Sequence, residues 1–260
     1  MLGPDALTAL VGGTLLAFAV DRRHPLTSAL AWVHFGAQGY AWTISLGLAW
    51  FDPTAYLGLV CMTFATGIAL AFAIRLQEGS ILWGPFQFSF AKPASRAEYC
   101  RQSILQTAAM WGVFLVAIPF AIIFVERSLN WNLGWAPGTV EWVVAAVVFV
   151  GGALTGFSAG WVMTKDGDGT PLPSACARKL VTSGSYRFVR NPMAVGGISQ
   201  GIAVGLALGS PLTMVYAFIG GVWWELLARA SEEEFLAQTF GQEYDEYRSR
   251  VRCWLPMPKR

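Results

Sequence analysis

The residues best suited to chemistry fall in two short stretches late in the chain. The first is L-V-T-S-G-S-Y-R-F-V-R-N-P-M at 180–193, where Arg187 and Arg190 flank the apolar Phe188 and Val189. The second opens with S-E-E-E-F-L-A at 231–237, where Glu232 and Glu233 stand side by side. By type, an arginine offers a planar fork of donors, and paired acids offer acceptors or a base. A plainer reading accounts for part of this. The arginines suit a positively charged membrane flank, and the acids suit a solvated helix face. That reading gives no reason for Gly184, Tyr186 and Asn191 to crowd around the arginines, nor any use for Glu232 and Glu233 beyond solvation.

Local signals place both stretches at helix ends. Asn191 can cap the next helix with Pro192 at its first position. Ser231, with Glu234 three residues later, has the pattern of a capping box. Leu236, Phe240, Tyr244, Tyr247 and Val251 then recur at helical spacing, which predicts an amphipathic helix packed back on the rest of the protein. Glu225 and Arg229 are four apart and can pair on one helix face. Glu225, Gln200 and Tyr216 also lie within apolar sequence, where a carboxylate is a functional candidate or an ion pair near a span end. Upstream, K-D-G-D-G-T-P-L-P at 165–173 uses Gly167 and Gly169 for tight turns and Pro171 and Pro173 for stiffness. It reads equally as a connecting loop.

The elements that must hold these stretches are membrane helices. Of the 260 residues, 55% are hydrophobic and 13% charged, with 12 Trp and 17 Phe. A soluble domain carries about 25% charge, so this apolar surface needs lipid as its solvent. Seven candidate spans follow: 5–20, 28–50, 54–74, 103–125, 139–163, 193–209 and 211–228. Gly209-Ser210-Pro211 separates the last two as a tight hairpin. With the N-terminus outside, the inner segments 21–27, 75–102, 164–192 and 229–260 hold 2, 4, 5 and 6 Lys or Arg, all but Arg127 of the chain's 18. That asymmetry predicts an N-out, C-in, all-α bundle of about seven spans with a cytoplasmic C-terminal amphipathic helix. The N-terminus lacks the basic start of a cleaved signal. Residues 81–90 (I-L-W-G-P-F-Q-F-S-F) read as an interfacial stretch or a packed loop, and 127–138 as an outer aromatic belt.

Composition also excludes some classes. The net charge is +2 with no basic stripe, so nucleic acid is not an expected partner. Cys61, Cys100, Cys176 and Cys253 lie far apart, and with His24 and His34 they form no zinc spacing. No metal is expected. Three of the cysteines face a reducing compartment in this topology, so no disulfide is expected either.

Taken in order, G-S-Y-R-F-V-R-N-P-M, the Gly-rich hairpin, then E-E-x-x-L-x-x-x-F-G-x-x-Y-x-x-Y and V-R-C-W-L-P resemble the isoprenylcysteine carboxyl methyltransferase and phospholipid methyltransferase superfamily. The resemblance covers roughly 140–258. It implies an integral membrane methyltransferase that takes S-adenosylmethionine at the cytoplasmic side and a lipophilic carboxylate, amine or thiol from the bilayer. The cofactor-binding residues it implies are Gly184, Tyr186, Arg190, Asn191, Pro192, Met193, Glu232, Glu233, Tyr244 and Tyr247. Arg190, Glu232 and Glu233 are the catalytic candidates. Arg190 suits the cofactor's carboxylate, and the two acids suit its amino group or ribose hydroxyls, or one serves as a base for an amine acceptor. Many members carry His where Asn191 stands and Tyr where Ala194 stands. On this reading 1–138 is a transmembrane N-terminal unit, comprising extra spans and the fourth span, and 139–260 is the methyltransferase-like core. The competing readings are an NADPH-dependent membrane reductase and a non-enzymatic transport or lipid-binding protein.

Overall fold

The computed structural model describes residue 13 and residues 26–76, 88–131, 134–172 and 175–256. The expected span 5–20 (Gly13 apart), Arg22, Arg23, His24, most of the aromatic stretch 81–90 and Pro173 lie outside the described residues.

Among those residues the architecture is helical throughout. Helix α1 is Thr27–Phe51 and α2 is Tyr56–Leu76. Helix α3 runs Arg96–Ser128 through a π turn at Gly112–Ala117, and α4 is Thr139–Asp166. Helices α5, Pro192–Leu208, and α6, Pro211–Trp223, form the hairpin. Helix α7 is Arg229–Arg250. Three continuous helices are long and apolar enough to cross a membrane: Arg96–Ser128, Thr139–Asp166 and Pro211–Arg250. Phe120, Phe124, Val140, Val147, Leu154 and Trp161 stand exposed along α3 and α4. Rows of bare apolar side chains on long helices are stable only against lipid. The chain is an integral membrane protein.

Six of the expected spans coincide with helices, and two boundaries differ for local reasons. Helix α3 starts at Arg96 rather than 103, because Ser95 accepts from the Glu98 N–H at 3.2 Å and Glu98 sits in the first turn. The capping box at Ser231 does not form. Helix α6 passes through a π turn at Trp224–Ala228 directly into α7, so Ser231 and Glu234 lie inside a continuous helix. No Gly or Pro between Trp223 and Ser231 stops it. The interruption comes instead at Gly241, whose φ of 51° and ψ of −126° kink α7.

The hairpin turn is made by Gly209 in the left-handed region at φ 62°, followed by Ser210, which caps α6 by accepting from the Thr213 N–H at 3.1 Å. Two features hold this end of the bundle. The Trp131 indole donates to the Ala49 carbonyl at 2.6 Å. Glu126 accepts from Tyr56 and, at 3.0 Å, from Ser210. Between α4 and α5 the backbones nearly touch. A Cβ on Gly152 would lie 2.8 Å from the Gly196 carbonyl oxygen, and one on Gly196 2.6 Å from that of Gly152. Small residues permit this approach, and it seats the segment preceding α5 against the end of α4.

Candidate active site

The end of the bundle opposite Glu126 gathers the chemical residues. Its core is Ala159, Val181, Tyr186, Tyr244 and Tyr247, with Met193, Leu236, Phe240 and Val251 packed around it. This is the inward face expected of the C-terminal helix.

Gly184 starts the arrangement. It adopts φ +58° in a 3-10 turn, Gly184–Arg187, and a Cβ there would come 2.9 Å from Val162. Only glycine satisfies both demands. Ser185 donates to the Thr155 carbonyl at 3.1 Å and Ser183 to Asp166 at 3.0 Å, tying the turn to α4. Tyr186 is thereby buried, and its carbonyl accepts from the Tyr247 hydroxyl at 2.7 Å. The loop at 165–173 braces the same region. A Cβ on Gly169 would lie 2.4 Å from Ala177 Cα, and the Gly167 carbonyl accepts from the Arg178 and Lys179 N–H groups at 2.7 and 3.1 Å.

Arg190 and Asn191 are fixed by the chain's own tail. Their N–H groups donate to the carbonyls of Arg252 and Cys253 at 2.9 and 3.3 Å. Arg190 Nη1 donates to the Arg248 and Val251 carbonyls at 3.2 and 2.9 Å, and Nη2 to Glu233 at 2.5 Å. The fork expected to be open for a ligand is thus spent inside the protein, while Nε is buried and without a partner. Asn191 caps α5 by accepting from the Ala194 N–H at 3.2 Å, with Pro192 in the first turn, and its Nδ2 is also buried and without a partner. Two orphaned donors on adjacent buried residues are uncommon, because each costs free energy unless an acceptor arrives.

The acids divide sharply. Glu233 is held by Arg190 and, at 3.0 Å, by Arg229, which also grips Glu225 at 2.6 Å. The Trp254 indole closes the chain by donating to Glu225 at 2.6 Å. Burial alone would raise the Glu233 carboxyl, but its bonds to Arg190 and Arg229 outweigh burial and hold it below the usual range. Glu232 accepts no hydrogen bond from the described residues. Burial, then the neighbouring Glu233 charge, push its carboxyl up to about 7 against the pull of Arg190. The Glu232 charge reaches both the Tyr186 hydroxyl and the Cys176 thiol, which burial chiefly holds above their usual ranges.

Gly184, Tyr186, Arg190, Asn191, Met193, Glu233, Tyr244 and Tyr247 therefore meet at one end of the bundle, with Glu232 beside them. Gln200 and Tyr216 do not join them. Gln200 is buried beside Gly152, and the Tyr216 hydroxyl donates to the Phe114 carbonyl at 3.4 Å. Sequence reasoning missed the segment 88–91. Ala91 N–H donates to the Cys176 carbonyl at 3.0 Å and Cys176 N–H to that of Ser89 at 2.8 Å. The alternation of Phe88, Ser89 and Phe90 was the available signal.

Comparison with known proteins bears on this same region. The family described as phospholipid methyltransferase matches residues 140–243. The matched segment begins one residue into α4 and holds the 3-10 turn, the hairpin and both acids. The chain is also 39% identical over 79 residues to a probable protein-S-isoprenylcysteine O-methyltransferase of Oryza sativa subsp. indica, covering 30% of this chain and 41% of that protein. It is 42% identical over 82 residues to protein-S-isoprenylcysteine O-methyltransferase of Homo sapiens, covering 31% and 28%. The Schizosaccharomyces pombe protein of the same name is 31% identical over 81 residues, covering 30% and 33%. The chain thus spans less than half the length of the curated relatives it matches. No solved structure matches it.

Proposed function

We propose that this protein is an integral membrane methyltransferase that uses S-adenosylmethionine and methylates a lipophilic acceptor. One observation carries the reading. A single cluster presents two buried donors without partners, Arg190 Nε and Asn191 Nδ2, near the Glu232 carboxylate, which accepts no hydrogen bond from the described residues and feels the Arg190 charge. That polarity complements an amino-acid end, with donors for its carboxylate and an acceptor for its ammonium. The relatives' names supply the reaction class.

When bound, the cofactor supplies a methyl group on a positively charged sulfur. The chain's own residues bind and align it. Arg190, fixed by two carbonyls and Glu233, positions its Nε and the adjacent Asn191. Glu232 accepts from the amino group or ribose hydroxyls, and serves as the base where the acceptor is an amine. Tyr186, Tyr244 and Tyr247 exclude water, which matters because methyl displacement depends chiefly on alignment.

The same reading places the site on the cytoplasmic side of a seven-span, N-out, C-in bundle, with 1–138 as an N-terminal unit and 139–260 as the core. The distribution of Lys and Arg supports it. The acceptor, a lipid or small hydrophobic molecule with a carboxylate, amine or thiol, then arrives from the bilayer. The relatives' names point to a prenylated cysteine as the first acceptor to try.

The test is thermal stabilisation of the purified protein by S-adenosylmethionine, S-adenosylhomocysteine and NADPH. A ligand that binds only the folded state raises the melting temperature with its concentration. We expect a shift with the first two. Stabilisation by NADPH alone would replace this reading with a reductase.

A further inference from the structure

Three aromatic rings from two distant parts of the chain converge beside the polar cluster. The Phe88 ring stacks on Phe235 with centroids 6.1 Å apart, and Phe90 meets the same ring at 5.4 Å. Phe88 and Phe90 are two residues apart in extended backbone, so their side chains leave on the same side. The segment that carries them is anchored: its backbone pairs with Cys176, and Arg178 donates to the Ala91 carbonyl at 3.1 Å. Phe235 lies three residues beyond Glu232 on α7, close to the same helix face. Cys176, the anchor of the segment, is within reach of the Glu232 charge. The aromatic cluster and the unpartnered carboxylate are therefore adjoining parts of one surface.

The cluster is also incompletely covered. Phe90 is 43% exposed although hydrogen bonds fix its backbone on both sides. Apolar Phe235 and polar Glu232 stand within one helical turn of each other on α7. A molecule that contacts both must carry a polar head and an apolar chain.

We infer that Phe88, Phe90 and Phe235 form the wall that holds the apolar chain of the methyl acceptor, and so set which acceptors this protein takes. The inference rests on the methyltransferase reading. Under it, Glu232 and the tyrosines face the reacting end, and the three rings grip the tail one helical turn away. The rings stand on 88–90 and Phe235, whereas Arg190 and Asn191 are fixed by the chain's tail, so the wall and the cofactor contacts can be varied separately.

The experiment is photo-crosslinking of the full-length protein with an S-prenylcysteine that carries a diazirine on its prenyl chain. Labelled residues are mapped by mass spectrometry. Stabilisation by S-adenosylhomocysteine is measured on the same samples. Saturable label on 88–91 or Phe235, competed by unlabelled S-prenylcysteine, is the expected result. Phe90→Leu keeps an apolar surface and retains the label. Phe90→Asp lowers it about tenfold, the loss expected when a charge replaces an apolar contact, with stabilisation by S-adenosylhomocysteine unchanged. Label confined to the lipid-facing residues of α3 and α4, or indifferent to Phe90→Asp, overturns the inference and leaves the methyltransferase reading intact. The converse result, label on the wall with no stabilisation by S-adenosylhomocysteine, sinks that reading and with it the acceptor role of the wall.

Discussion

Arg190 holds Glu233 at 2.5 Å, whereas the adjacent Glu232 accepts no hydrogen bond from the described residues. Neighbours in sequence thus have opposite fates. Glu233 belongs to a chain of paired groups running through Arg229 and Glu225 to Trp254, and the Glu232 charge is felt by Tyr186, Tyr244 and Cys176.

Removing Arg190 breaks a pair whose side chains are 9% and 17% exposed. Losing one partner of a buried pair costs about 3 kcal/mol. Arg190→Ala is therefore expected to lower the melting temperature and abolish stabilisation by S-adenosylhomocysteine. Arg190→Lys restores the charge but not the planar donors to the Arg248 and Val251 carbonyls, so it recovers only part of the stability. Equal melting temperatures for wild type and Arg190→Ala would refute the bracing role.

Glu232 makes the protein pH-sensitive in a defined direction. Its folded carboxyl titrates near 7, above the ordinary glutamate range. The folded state thus retains a proton that the unfolded state loses, and stability falls as pH rises from about 4.5 to about 7, then levels. Cofactor affinity moves the opposite way, because the ionised carboxylate is the better acceptor for an ammonium. Titrations of S-adenosylhomocysteine binding between pH 5.5 and 8.5 should show affinity rising through about 7 in wild type and flat in Glu232→Gln.

Gly184→Ala meets two obstacles, the positive φ and the 2.9 Å approach to Val162. A left-handed residue with a side chain costs about 1–2 kcal/mol, and overpacking adds about 1–3 kcal/mol. Reduced thermal stability together with weaker cofactor binding is expected, since the turn positions Tyr186. Binding unaltered in Gly184→Ala would show that the turn does not position the site.

The opposite end of the bundle supplies a control. Tyr56→Phe removes one donor to the buried Glu126, at a cost of about 1–3 kcal/mol. Thermal stability should fall while affinity for S-adenosylhomocysteine holds in the surviving folded protein. A parallel loss of affinity would mean the two ends are coupled.

Orientation can be read chemically. Ser249 is exposed on the last turn of α7. With the native cysteines replaced, Ser249→Cys should react with a membrane-impermeant maleimide only after cells are permeabilised. Labelling of intact cells would reverse the proposed topology.

Much of this was legible in the sequence, because membrane helices declare themselves by composition. Asn191 with Pro192 marked the start of α5, and Gly209-Ser210-Pro211 marked the hairpin. The failures lie where tertiary contacts override local signals. Ser231 and Glu234 match a capping box, yet an uninterrupted run of helix formers carries α6 through them. Arg190 stands out in the sequence for its planar fork, and only the return of the tail, placing the Arg248 and Val251 carbonyls against it, shows what that fork touches inside the protein. Phe88 and Phe90 were missed as site residues, since their alternation with Ser89 signals an extended stretch but does not announce that 88–91 will pair with Cys176.

The continuity of α6 and α7 makes the site a passenger on a lever. From Pro211 to Glu232 the helix rises about 30 Å, close to the thickness of the hydrocarbon layer. Its far end is pinned by Ser210 to Glu126. Glu232 and Phe235 therefore ride on the rod that is fastened at its other end, and Arg190 and Tyr186 are tied to the continuation of that rod through Glu233 and Tyr247.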